Sequence, residues 1–155
     1  MRRGKLNVDI REFTEKDLTE LAVLEKACFA DPWTVEMLKS ESERDGFCCL
    51  LAETQGECVG FVYGNVLMDV AELYKVAVLP TFRAKGCGKA LAESFISLVK
   101  KMGARQIFLE VRVSNQAALA LYLGQGFEKT RQRKRYYADG EDCLEMKKSL
   151  YPDAE

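Results

Sequence analysis

Two apolar runs, GFCCLLAET at 46–54 and CVGFVYGNV at 58–66, are separated by only three residues, QGE. So short a joint turns the chain back on itself, and its central glycine supplies the positive φ that a tight turn demands. The two runs are therefore predicted to pair antiparallel, turning at Gly56. A third extended run, VAELYKVAVL at 70–79, follows after a few residues and is stopped by Pro80. The middle of the chain is committed to a sheet that starts antiparallel, and the flanking segments must pack around it.

Before the hairpin, NVDIREF at 7–13 alternates as a first strand does, and Thr14 with Asp17 forms a capping pair that opens a helix reaching about Phe29. DPWT at 31–34 breaks the pattern, and Thr34 caps a second helix, VEMLKSESER. Beyond Pro80, Leu91, Phe95, Leu98 and Val99 recur at helical spacing, with Gly103 as the stop. QIFLEVRV at 106–113 reads as a buried strand and NQAALALYLGQ at 115–125 as a short helix. Residues 126–150 read as two strands turning at Asp139 and Gly140. The order β-α-α-β-β-β-α-β-α-β-β, with antiparallel strands first and a βαβ crossover later, predicts an α+β class with a mixed, mostly antiparallel sheet. At 155 residues the chain has the length of one domain, spanning 1–155.

Composition removes several functions. The formal net charge is -1 and the pI about 5.7, so there is no global basic field, and direct nucleic-acid binding is not expected. The six cysteines (Cys28, Cys48, Cys49, Cys58, Cys87, Cys143) contain no CxxC pair, and with no histidine in the chain no metal site is expected. They read as reduced thiols of a cytoplasmic protein. The N-terminal stretch MRRGKLNVDIREF lacks the apolar core of a signal peptide, and no run reaches transmembrane length, so no membrane association is expected.

The segment RAKGCGKA, 83–90, lies between a strand and a helix. Helix N-termini carry unpaired N–H groups and partial positive charge, and glycines let a loop curl closely around an anion. A Walker loop would need glycine at 83 and Ser or Thr at 90, where Arg83 and Ala90 stand. The dinucleotide fingerprint would need glycine at 91, where Leu91 stands. What remains is R-x-x-G-x-G, either a phosphate cradle or a plain turn.

Arg83, Gly86 and Gly88 after LYKVAV resemble the acyl-coenzyme A loop of the GNAT N-acetyltransferase superfamily. ACFADPWT, LEVRVSNQAALALYLGQGF and RKRYYADGEDCLEM narrow the resemblance to the bacterial ribosomal-protein-alanine N-acetyltransferases, the RimI type, over about residues 8 to 148. The resemblance implies a GNAT fold with helices on both faces of the sheet and acetyl-CoA as cosubstrate. Val76, Ala77 and Val78 would offer main-chain groups to the pantetheine and thioester. Arg83, Ala84, Lys85, Gly86, Cys87, Gly88 and Lys89 would hold the pyrophosphate, with Asn115 a further cofactor contact. Glu110 would act as general base, directly or through a water, and Tyr122 would protonate the departing thiolate. Trp33, Tyr136 and Tyr137 would border the acceptor peptide, the N-terminus of a small-subunit ribosomal protein that begins with alanine.

From the residues themselves, Glu110 reads equally as a charge paired with Arg112, Tyr122 as a core anchor and Asn115 as a helix cap. Lys129, Arg131, Arg133 and Arg135 alternate, so they are expected on one strand face. The ten acidic residues between Glu12 and Asp45 read as solvated helix faces. Lys75 stands where the family commonly has asparagine, and Glu145 where it commonly has an apolar residue. Acetylation of lysine or a small amine, and a non-catalytic acyl-CoA sensor, remain open alternatives.

Overall fold

The computed structural model describes residues 7–151. Seven strands form one sheet in the order β1-β2-β3-β4-β5-β7-β6. They are β1 (Asp9–Glu12), β2 (Phe47–Thr54), β3 (Glu57–Leu67), β4 (Val70–Val78), β5 (Gln106–Arg112), β6 (Glu128–Arg133) and β7 (Cys143–Ser149). Every neighbouring pair is antiparallel except β4 and β5. The β2–β3 turn falls at Gln55 and Gly56, both at positive φ (52° and 78°), the two-residue geometry whose twist matches that of the strands.

Among the described residues the α-helices are α1 (Leu18–Cys28), α2 (Val35–Ser42), α3 (Cys87–Lys101) and α4 (Gln116–Gly124). The Thr14–Asp17 capping box is present but opens a short 3-10 turn at Glu15–Asp17 that leads into α1. Thr34 caps α2 by accepting from the Met37 N–H at 3.1 Å. Alternate residues of the central strands feed two separate cores. Leu50, Val62, Leu73 and Leu109 pack with Leu91, Phe95 and Val99 of α3 and with Leu119 and Tyr122 of α4. Leu51, Phe61, Tyr63 and Ala77 pack with Leu18, Leu21 and Leu24 of α1 and Leu38 of α2. Burial on both faces is why β2 and β3 read as continuous apolar runs.

The register shifts at three places: Val59 is extra in β3, and bulges in β4 and β6 shape the rest. In β4, Lys75 pairs with Tyr63 and Leu73 with Gly64, so Tyr74 is the extra residue. Glycine is required at 64, because a Cβ there would collide with the Glu72 carbonyl oxygen and the Phe95 ring. In β6, Lys129 faces Met146 and Arg131 faces Glu145, so Thr130 is extra. This corrects the single basic face expected from the alternation: the bulge sets Lys129 on the opposite side from Arg131 and Arg133. Arg135, at φ 53°, lies beyond the end of the strand. The joint expected at Asp139 and Gly140 is a longer connection, 134–142, that carries Tyr136 and Tyr137 out of the strand.

Among the described residues no helix is long and apolar enough to cross a membrane.

Candidate active site

The parallel ladder between β4 and β5 has only three register pairs, Val70–Glu72 with Gln106–Phe108. Beyond it β4 runs on to Val78 and β5 to Arg112, each still paired on its other side. A bulge bends its strand, and the one at Tyr74 comes two residues after Glu72 of the last parallel pair, where the two strands part. Successive strand residues turn their main-chain groups to opposite edges. The Leu79 N–H donates to the Val59 carbonyl, whereas the Val78 carbonyl accepts from the Arg83 Nε at 2.8 Å. The main-chain groups of Val76 and Val78 thus face the opening, and those of Ala77 face β3.

At the end of β4 the loop reaches α3. Gly86 is the N-cap at φ 89°, and Ala84 is also left-handed at φ 62°. The N–H groups of residues 84–89 donate to no acceptor among the described residues, so a run of donors converges at a positive helix end. Gly86 is needed for its conformation. Gly88 is not needed by the protein, since a Cβ there would meet only Leu121 and Val78 side-chain atoms at an ordinary 3.8 Å. The Cys87 side chain is buried, and burial pushes its thiol upward, so its N–H is the group it presents to the loop.

Glu110 and Tyr122 lie on opposite faces of the sheet. Leu109 and Val111 belong to the α3 core, which puts the intervening Glu110 on the α1 face. Its Oε1 accepts from the Tyr136 hydroxyl at 2.9 Å, and its Oε2 lies 3.8 Å from the Arg133 Nε. The expected Arg112 pairing is replaced: Arg112 binds Asp139 and Glu141, with its guanidinium 4.1 Å over the Tyr137 ring. Tyr122 is buried against Phe127 in the α3 core, and burial pushes its hydroxyl well above the usual phenol range. Asn115 caps α4, accepting from the Ala118 N–H at 3.1 Å.

On the α1 face the segment 28–34 lies along β4. The Cys28 Sγ is 3.7 Å from the Val78 carbonyl oxygen, and the Trp33 ring packs edge-on against Tyr63 and at a tilt against Tyr74. Under it sits a group that the reading of solvated acidic faces missed. Glu25 is 0% exposed. Its Oε1 accepts from the Lys75 Nζ and the Trp33 N–H, and its Oε2 from the Tyr63 hydroxyl, each at 2.8 Å. The Lys75 ammonium also stands 4.4 Å from the Phe29 ring centre. A signal was present: Glu25 follows Leu18 and Leu21 at i+7 and i+4, inside the apolar stripe of the helix.

The family model for the acetyltransferase (GNAT) family matches residues 18–127. The ribosomal protein bS18-alanine N-acetyltransferase of Escherichia coli K12 is 34% identical over 133 residues, covering 84% of this chain and 89% of the relative. An N-alpha-acetyltransferase of Sulfolobus acidocaldarius is 28% identical over 157 residues, covering 93% of this chain and 94% of its own. The crystal structure of the ribosomal-protein-S18-alanine N-acetyltransferase from Escherichia coli superposes with a TM-score of 0.87 at 31% identity, over 96% of this chain and 97% of that one. Parted β4 and β5 strands, a donor-lined loop at the start of α3 and these matches agree: the chain belongs to the GNAT family, as an acetyl-CoA-dependent N-acetyltransferase.

Proposed function

We infer that the protein acetylates the N-terminal alanine amine of a small-subunit ribosomal protein. The observation that carries this reading is the parting of β4 from β5 beside the donor-lined loop, with Glu110 on one face of the sheet and Tyr122 on the other; the names of the 31–34% identical relatives supply the acceptor. Residues 83–89 hold the pyrophosphate, with Arg83 tying the loop to the strand end. The amine nitrogen attacks the thioester carbonyl carbon, a C–N bond forms, and the Val76 N–H stabilises the negative oxygen. The amine proton passes to Glu110 directly or through a water. As the C–S bond breaks, the Tyr122 hydroxyl donates its proton to the thiolate. An α-amine titrates at about 7.7–8.0 against about 10.4 for lysine, so one carboxylate suffices as base in a chain without histidine.

Two peptides test the acceptor. One carries a free N-terminal alanine and no lysine; the other is N-terminally blocked and has internal lysines. Mass spectrometry is expected to find acetyl only on the free alanine. Label on the blocked peptide alone moves the assignment to lysine acetylation, and silence on both with cofactor bound moves it to a small amine or a sensor.

The cofactor loop has a separate test in Gly88→Ala. The apo protein is expected to gain about 0.5–1 kcal/mol, since alanine suits a helix better than glycine and has room here. Acetyl-CoA binding is expected to weaken by ~1–3 kcal/mol, about 5- to 150-fold in Kd, because the added methyl occupies the line of approach. Calorimetric titration showing unchanged affinity would remove Gly88 from the site.

A further inference from the structure

We propose that Arg133 is the positioning residue of Glu110 and that Glu145 holds Arg133 in place. The inference rests on the reading of Glu110 as base. Glu110 and Glu145 are register partners across β5 and β7, on the same face, where like charges directly opposite repel. Glu72, from β4, joins them on the wall of a pocket of about 290 Å³. One guanidinium lies between two of these carboxylates: the Arg133 Nη2 is 3.3 Å from the Glu145 Oε2, and its Nε is 3.8 Å from the Glu110 Oε2.

The backbone is built to deliver that guanidinium. The bulge at Thr130 returns Arg131 and Arg133 to the Glu110 face, and the Thr130 hydroxyl bonds the Glu145 carbonyl and carboxylate oxygens at 3.1 and 3.0 Å. Bulges that re-aim one side chain recur beside active sites. Arg131 reaches only Glu145, at 3.9 Å, and serves as an outer partner. The Arg133 guanidinium also stands 5.5 Å over the ring of Tyr136, whose hydroxyl engages the other oxygen of Glu110. Both oxygens of the base are thereby bracketed, one by a phenol and one by a cation.

The Arg133 Nε is the telling atom. It is buried and makes no hydrogen bond among the described residues. A buried donor left unpaired is costly, and here it points at the base from just beyond bonding distance. A small rotation of Glu110 closes that gap, and catalytic hydrogen bonds that are long in the free protein tighten when substrate binds. Arg133 thus gives Glu110 a second, better-bonded position to move into, with Glu145 keeping the guanidinium from following.

The test compares the wild type with Arg133→Met, Arg133→Lys, Glu145→Gln and Glu110→Gln. The acceptor is whichever of an N-terminal alanine peptide, a lysine peptide and spermidine the wild type acetylates fastest. Arg133→Met is expected to lower kcat about 10- to 100-fold, as displacement of a reacting group does, with KM for acetyl-CoA unchanged. Arg133→Lys should recover most of the loss and Glu145→Gln should show a smaller loss in kcat, with unfolding midpoints near that of the wild type. Loss confined to Glu110→Gln overturns the role of Arg133 and leaves the base in place. Wild-type kcat in Glu110→Gln overturns both, and a loss in Arg133→Met that lysine does not restore, or that appears in KM for acetyl-CoA, assigns Arg133 to structure alone.

Discussion

Glu110→Gln is expected to lower kcat by about 10²- to 10⁴-fold, the span that a positioned base contributes, while acetyl-CoA still binds. The separation follows from the architecture: Glu110 lies on the α1 face of the sheet, whereas the unpaired N–H groups of 84–89 lie at the start of α3. Glutamine keeps an oxygen for the Tyr136 hydroxyl and for Arg133, so the pocket is preserved and only the proton acceptor is removed. Tyr122→Phe should produce a loss in the same range for a different reason. Its hydroxyl is pushed up by burial, so at neutral pH it holds a proton to give and cannot serve as base. Single-turnover mixing with saturating acetyl-CoA separates the chemical step from binding and release. The double variant is expected to lose less than the product of the two single losses, because both groups act in one transfer. Turnover equal to the wild type in both single variants would end both assignments.

Lys75→Met is expected to destabilise the fold by about 3–5 kcal/mol, the cost of leaving one member of a buried ion pair alone. For a protein of this length that corresponds to a drop in Tm of about 6–20 °C. The reason is the asymmetry of the pair: the Glu25 side chain is 0% exposed and its Lys75 partner 19%. Without the ammonium, the carboxylate retains only the Tyr63 hydroxyl and the Trp33 N–H. Glu25→Gln should cost less, since the amide oxygen still accepts and Lys75 can lean toward water. Urea unfolding of both variants checks the order, and Lys75→Met within about 1 kcal/mol of the wild type would show that the pair does not hold the 28–34 segment down. Trp33 belongs to this segment, so its place against Tyr63 and Tyr74 depends on a charge buried near the end of α1.

Much of the fold was legible because it depends on local chemistry. The turn at Gly56, the Thr34 cap and the opening of α3 within the 83–88 stretch are each dictated by a few adjacent residues, and all occur where expected. Segments that depend on a partner were less legible. The basic alternation from Lys129 to Arg135 predicted one face, but register belongs to two strands, and Thr130 is extra only relative to β7. Arg112 stood two residues from Glu110 and was one reading of its partner. The 134–142 connection instead brings Asp139 and Glu141 to Arg112, and β6 brings Arg133 to Glu110.

The candidate site divides in the same way. A glycine at a left-handed cap, a loop with free N–H groups and a carboxylate in mid-strand are properties of short segments, and the sequence by itself determined them. The parting of β4 from β5, the placing of Glu110 and Tyr122 on opposite faces of the sheet and the burial of Glu25 under Lys75 were decided only by the tertiary structure. Each depends on which side chains a bulged or parallel strand meets across the sheet, and those encounters are 38 residues apart for Glu25 and Tyr63 and 50 for Glu25 and Lys75. Local propensity acts within a few residues, whereas desolvation and charge pairing act between whatever the packed sheet brings together.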